Sequence, residues 1–247
     1  YHIAGQDVVI GASIGIAMAP ANGSSFDELM RHADIALYRS KQGGKGRFCY
    51  FEPDMDAKQR DRHVLERDLR AAIEAGQFEL HYQPLYSATS SDICGLEALV
   101  RWRHPTRGLV PPGEFIPLAE TSGLISGLGA LVLRDACTFA QSWPPHLRVA
   151  VNVSPVQLRD RRIVDTVAAA LQSSGLEPGR LELEITETAL LEARSSEVLR
   201  ELKALGVRLA LDDFGTGFSS ISHLQFVRFD RIKIDRSFIQ STGPAEG

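Results

Sequence analysis

From Phe78 onward, short aliphatic runs alternate with stretches of helix length, and this alternation restricts the chain to a parallel or mostly parallel α/β fold. The runs are FELHYQPL, ICGLEALVRW, LRVAVNVS, RLELEIT, VRLALDD and DRIKID, with helix-length segments such as 128 to 141, 160 to 173 and 194 to 205 between them. Inside the runs a polar residue recurs between apolar neighbours: Leu96-Glu97-Ala98, Val151-Asn152-Val153, Leu183-Glu184-Ile185, Leu211-Asp212 and Ile232-Lys233-Ile234. Strand neighbours face opposite ways, so the aliphatic flanks share one face and the polar residue takes the other. Isolated surface strands would give the same pattern. For five successive strands that explanation is poor, because helical crossovers cover both faces of a parallel sheet. In an α/β barrel the flanks pack on the helices, and the polar residue points inward near the C-terminal end of its strand, where barrel active sites lie.

Several inward carboxylates gathered together call for a cation. Glu97, Asn152, Glu184 and Asp212 offer oxygen donors, with no cysteine and no convergent histidine spacing. That set suits Mg²⁺ or Mn²⁺ rather than a structural zinc. In LALDDFGTGFSS (209 to 220) the period of two favours Asp212 for this face and turns Asp213 away. Gly215 and Gly217 let the backbone leave strand geometry, so a bend at Asp213 is expected to bring its carboxylate back.

A hydrophobic content of 44% with 23% charged residues is enough for a core without disulfide or metal staples. The formal net charge of −4 argues against a polymeric nucleic acid as partner, so an anionic ligand must be drawn by local cations. Cys49, Cys94 and Cys137 are widely spaced, which fits a reduced, cytoplasmic protein. No apolar run approaches the length of a membrane span, and no signal-peptide pattern opens the chain. His63, His81, His104, His146 and His223 show no metal spacing.

The first part of the chain is organised differently. Residues 8 to 17 suggest a buried strand, and Phe26 to Gln42 an amphipathic helix with Phe26, Leu29, Met30, Ala33 and Leu37 at helical spacing. Ser25 and Glu28 form a capping-box start. RFCYF (47 to 51) suggests a short strand and EPDMD a linker, followed by a helix over roughly 57 to 75. The expected division is 1–51, a linker at 52–60, and 61–247.

GLEALVRWRHP (95 to 105), VNVSP (151 to 155), ELEITET (182 to 188), DDFGTGFSS (212 to 220) and KID (233 to 235) occur in this order. In these motifs the chain resembles the EAL-domain phosphodiesterases of bacterial cyclic di-GMP signalling. The resemblance implies a TIM-like barrel whose first strand runs antiparallel to the rest. It also implies hydrolysis of cyclic di-GMP to linear pGpG with two Mg²⁺ or Mn²⁺ ions. Glu97, Asn152, Glu184 and Asp212 would be metal ligands, with Asp213 at the second metal. Lys233 would stand beside the attacking water and the scissile phosphate. Glu187 would brace the loop after Asp213, Arg101 would hold a substrate phosphate, and Gln83 would touch the substrate. ASIGIA, ADIALYRSK and GRFCYF resemble the C-terminal part of a GGDEF domain, the diguanylate cyclase partner often placed before an EAL domain.

The chain opens at Tyr1 without an initiator Met and stops soon after its sixth strand. It is therefore expected to be an excerpt with about six of the eight barrel strands, poorly stable and inactive alone, from a parent enzyme. A non-catalytic cyclic di-GMP receptor is the alternative function. A homodimer through helices around 190 to 226 is left open, and the parent could be anchored to a membrane through upstream domains.

Overall fold

The structure, a computed structural model, describes residues 2–3, 6–7, 11–42, 44, 46–87, 89–190, 195–215 and 228–234. Residues 8–10 of the expected first strand, Gly217, His223, Asp235 and parts of the 190 to 226 stretch lie outside them. The chain divides into two compact units, Tyr1–Asp68 and Leu69–Gly247.

In the first unit β1 (His2–Ile3) and β2 (Gln6–Asp7) form an antiparallel pair. β3 (Ile14–Ile16) runs parallel to β4 (Phe48–Tyr50), and α1 (Phe26–Gln42) connects them. α1 begins where the capping residues predict: Glu28 N–H donates to Ser25 Oγ at 3.3 Å, and Ser24 N–H donates to Glu28 Oε2 at 3.1 Å. Gly15 is required by close packing, because a Cβ there would lie 2.0 Å from the Ala33 carbonyl oxygen of α1. Ile35, Ala36, Phe51 and Met55 form the buried cluster.

Three expectations change here. Within the described part of 8 to 17 the strand is confined to Ile14–Ile16, and Ile14 is 52% exposed rather than buried. Phe26 and Met30 are 76% and 55% exposed, so α1 buries the stripe of His32, Ile35, Ala36 and Ser40 instead. A two-stranded sheet gives the helix too narrow a surface to cover every apolar residue it carries. The 52–60 stretch is likewise helical from its second residue, since α2 spans Pro53–Ala75. Pro53 opens the helix with the φ it needs, and Asp54 and Asp56 in the first turn favour its positive end.

The second unit is built on one sheet. In chain order its strands are β5 (Phe78–Tyr86), β6 (Ile93–His104), β7 (Gly108–Val110), β8 (Arg148–Asn152), β9 (Leu181–Thr186), β10 (Arg208–Phe214) and β11 (Arg231–Ile234). The spatial order is β11-β10-β9-β8-β6-β5, with β7 paired to β6. β5 and β7 are antiparallel to β6, and the pairs from β6 through β8, β9 and β10 to β11 are parallel. The first strand therefore runs against β6, β8, β9, β10 and β11, as the resemblance implied. The segment 105 to 115 supplies β7 and the start of α3 (Pro112–Thr121).

α4 (Ile125–Gln141), α5 (Pro155–Leu158), α6 (Arg162–Ser174), α7 (Glu187–Leu190) and α8 (Ser195–Ala204) supply the helices that follow. Val149, Val151, Leu181, Leu183, Ile185, Leu209 and Leu211 are essentially inaccessible, and each such side chain contributes about 1.5–3 kcal/mol by leaving water. Arg180 closes the end of α4, donating from Nη2 to the Ala140 carbonyl at 2.7 Å and from Nε to the Leu147 carbonyl at 2.9 Å. The first bond adds a donor to a carbonyl of the last helical turn, and the second ties the loop before β8 to the same guanidinium.

Candidate active site

Four parallel strands bring four of the polar residues to the C-terminal end of the sheet. Asn152 of β8 pairs in register with Glu184 of β9, and Asn152 Nδ2 donates to Glu97 Oε1 of β6 at 2.8 Å. Lys233 of β11 completes the group. Its Nζ donates to Glu184 Oε2 at 2.8 Å, and to Glu97 Oε2 and Asp212 Oδ2 at 3.3 Å each. Three carboxylates from β6, β9 and β10 thus converge on one ammonium, and Lys233 takes the central place. Among the described residues no three His, Cys, Asp or Glu side chains form a ready-made metal cage.

Glu184 is 1% exposed, and burial pushes its carboxyl up to about 7. Glu97 and Asp212 add to that rise, while the hydrogen bond and charge of Lys233 oppose it. Burial alone would lower the Lys233 ammonium, but the bond to Glu184 and the charges of Glu184, Glu97 and Asp212 outweigh it and raise it above the ordinary lysine value. Glu184 Oε1 is buried with no hydrogen-bond partner among the described residues.

The remaining expected residues surround this group. Asp213 has φ 54, left-handed backbone that is unusual outside glycine, so the chain does bend there; its side chain is exposed. The pairing of β10 with β11 is irregular between Leu211 and Phe214, which spans the same bend. Glu187, buried at the start of α7, accepts from Gly215 N–H through Oε2 at 3.1 Å. Gln83 pairs in register with Glu97 and is exposed. Arg101 is half-buried, with Nη1 donating to the Val100 carbonyl at 2.9 Å. Arg101 and Asn152 both line an apolar cavity of about 300 Å³, together with Glu120, Ser154 and Thr186.

Sequence reasoning passed over two features. Ser154 Oγ donates to Glu120 Oε1 across the cavity wall, while Ser154 also caps α5 by accepting from Val156 N–H at 3.1 Å. Glu182 is 1% exposed and ion-paired to Arg208 and Arg231. The signal for Glu182 lay in two doubled alternations, LELEI and RIKI, each with two charged residues on one face.

The family described as "EAL domain" matches residues 66–246, and that described as "Diguanylate cyclase, GGDEF domain" matches residues 1–47. An uncharacterised signalling protein of Caulobacter vibrioides is 51% identical over 239 residues, 96% of this chain and 30% of that protein. The bifunctional diguanylate cyclase/cyclic di-GMP phosphodiesterase MucR of Pseudomonas aeruginosa is 44% identical over 245 residues, 97% of this chain and 36% of its own length. The chain thus spans about a third of the length of these curated relatives. The structure of the MucR phosphodiesterase in complex with c-di-GMP superposes with a TM-score of 0.69 at 41% identity, covering 74% of this chain and 76% of that one. With the family match spanning most of its length and a TIM-like barrel as its fold, the chain belongs to the EAL-domain family, preceded by a GGDEF-domain segment.

Proposed function

We propose that this chain supplies the carboxylate cluster of an enzyme that hydrolyses cyclic di-GMP to linear pGpG, with two Mg²⁺ or Mn²⁺ ions bound there. The observation that carries the reading is the convergence of Glu97, Glu184 and Asp212 on the Lys233 ammonium, beside Asn152. The donor set fits the metals. It offers several oxygens, and the buried Glu184 Oε1 is without a hydrogen bond and so free to accept a cation. Bound there, the ions would polarise the phosphate and lower the pKa of a water.

In this reading Glu97, Asn152, Glu184 and Asp212 hold the metals, and Asp213 reaches the second from its bend. Lys233 competes with the cations for the same oxygens; as an ammonium it steadies the negative charge that develops on the scissile phosphate. Arg101 presents a planar fork suited to a phosphate, and among the described residues needs to release only its own strand's carbonyl to do so. Gln83 touches the substrate from β5. Glu187 fixes the Gly215 amide and so the loop entered after Asp213. The ligand class follows from relatives: the name of MucR specifies cyclic di-GMP phosphodiesterase activity, and its solved phosphodiesterase holds c-di-GMP.

No described helix is long and apolar enough to cross a membrane. A cytoplasmic location and homodimerisation belong to this proposal. The domain division also belongs here: a GGDEF-like segment over 1–51 and a phosphodiesterase domain over 61–247. The test is turnover of cyclic di-GMP in Mg²⁺ and after its removal by EDTA, in the wild type and in Glu97→Ala. Turnover is expected to require the metal and to fall on the order of a hundredfold or more in the variant. Hydrolysis that persists in EDTA, or in Glu97→Ala, contradicts the assignment.

A further inference from the structure

Beneath the carboxylate–lysine group lies a second charged tier. Glu182 stands two residues before Glu184 on β9, and Arg231 two before Lys233 on β11, so each pair shares a face. Arg231 Nη1 lies 3.1 Å from Glu182 Oε1, close but off the hydrogen-bonding direction, and Arg208 Nε of β10 lies 3.4 Å from Oε2. Arg231 Nη2 also reaches Cys94 Sγ of β6 at 3.7 Å. Between β9 and β11 the facing residue of β10 is Ala210, in register with both Glu184 and Arg231, and its methyl group leaves room for the pair to meet.

This tier decides where β11 sits. On the outer face Ile232 and Ile234 are 48% and 61% exposed, so burial there does little to choose a register. On the inner face the choice is electrostatic. A one-residue slip would turn Lys233 and Arg231 outward. A two-residue slip would leave the upper cluster without its cation or Glu182 with Arg208 alone, and the loss of charge compensation is costly inside a protein. The lower tier sets one carboxylate against two guanidiniums, and its surplus positive charge offsets the surplus negative charge above.

We propose that Glu182 is a positioning residue: through Arg231 it fixes the register of β11 and so the place of Lys233 among Glu97, Glu184 and Asp212. For its kinetic reading the inference rests on the proposed hydrolysis. The experiment compares Glu182→Gln, Arg231→Met, the double variant and Glu182→Asp in the full chain with Mg²⁺. It measures kcat and KM for cyclic di-GMP and amide hydrogen exchange over residues 231 to 234. Each single variant is expected to lose about ten- to a hundredfold in kcat with KM unchanged, as displacement of a positioned group does. The double variant should lose no more than either single, because both act through one contact. Glu182→Asp should recover part of the loss, and exchange in Glu182→Gln should quicken over β11 while β6 is unaffected.

Multiplying losses in the double variant, or a lowered melting temperature with kcat intact, would overturn the inference. A wild type without turnover defeats the proposed hydrolysis instead. Exchange over β11 then decides alone, and unchanged protection in Glu182→Gln sinks the positioning role. If Glu182→Gln does not fold, Arg231→Lys, which keeps the charge and loses the planar fork, is expected to show the same kcat loss and faster β11 exchange; wild-type behaviour in it counts against the role.

Discussion

Lys233 shows how far a single residue can be read from the chain. Its place between Ile232 and Ile234 put it on the same kind of inward face as Glu97, Asn152, Glu184 and Asp212, and the structure gathers all five within hydrogen-bonding distance of one another or of Lys233. Strand period is a geometric rule, so it transfers from sequence to structure without help from packing. Glu182 obeys the same rule but escaped, because its meaning depends on arginines 26 and 49 positions further on. Removing the ammonium with Lys233→Met leaves three carboxylates facing one another. The metal-free variant is expected to unfold with roughly 2–4 kcal/mol less stability than the wild type. Mg²⁺ should narrow that gap, since the cation restores the missing charge; thermal unfolding with and without Mg²⁺ checks both. Cys137 gives an independent residue-scale prediction. It is fully buried, and burial pushes its thiol up to about 12, so almost no thiolate exists at pH 8. A thiol reagent should leave Cys137 unmodified until the protein is unfolded, while the partly exposed Cys49 and Cys94 react first. Native-state labelling of Cys137 at their rate contradicts the packing described here.

At the scale of elements, the ends were legible where local chemistry sets them and illegible where a neighbour does. α1 starts after Ser25 because a side chain caps it. α2 starts earlier than its apolar period shows, because Pro53 and the first-turn acids extend it into a polar stretch. β7 could not be seen at all, since three residues carry no period and pair only because β6 offers an edge. The entry to β11 depends on such a contact. Asp230 Oδ2 accepts from Leu209 N–H and from Lys203 Nζ at 2.8 Å each, and Asp230 N–H donates to the Leu209 carbonyl at 2.8 Å. Burial alone would raise the Asp230 carboxyl, but those two donors hold it below its ordinary value. A depressed carboxyl contributes its stability above the ordinary carboxylate range and loses it as pH falls through the native value. Asp230→Ala is therefore expected to cost about 1–3 kcal/mol at pH 7. The difference from wild type should shrink steadily in acid, as urea unfolding at several pH values would show. A gap independent of pH would assign the effect to something other than the carboxylate.

For the whole molecule, alternating runs identified an α/β sheet, and oxygen donors on successive strands identified where its chemistry lies. Strand direction was another matter. Nothing in the period of FELHYQPL says that β5 runs against β6; that came from resemblance, because hydrogen-bond direction leaves no mark on hydrophobic spacing. Burial in the first unit was misjudged for a related reason: whether residues 11 to 17 are covered depends on what packs against them, not on their own apolarity. The net charge of −4 also takes on a local sense, since Arg101 and Lys233 supply cations near the cluster while the molecule as a whole would repel an anion. The central claim is that this carboxylate–lysine cluster breaks a phosphodiester bond rather than only holding the ligand. The direct measurement is to incubate the full-length protein with cyclic di-GMP and Mg²⁺ and to separate the nucleotides by chromatography. Linear pGpG should accumulate in proportion to enzyme. Cyclic di-GMP recovered intact from a full-length protein shown to bind it would contradict the account.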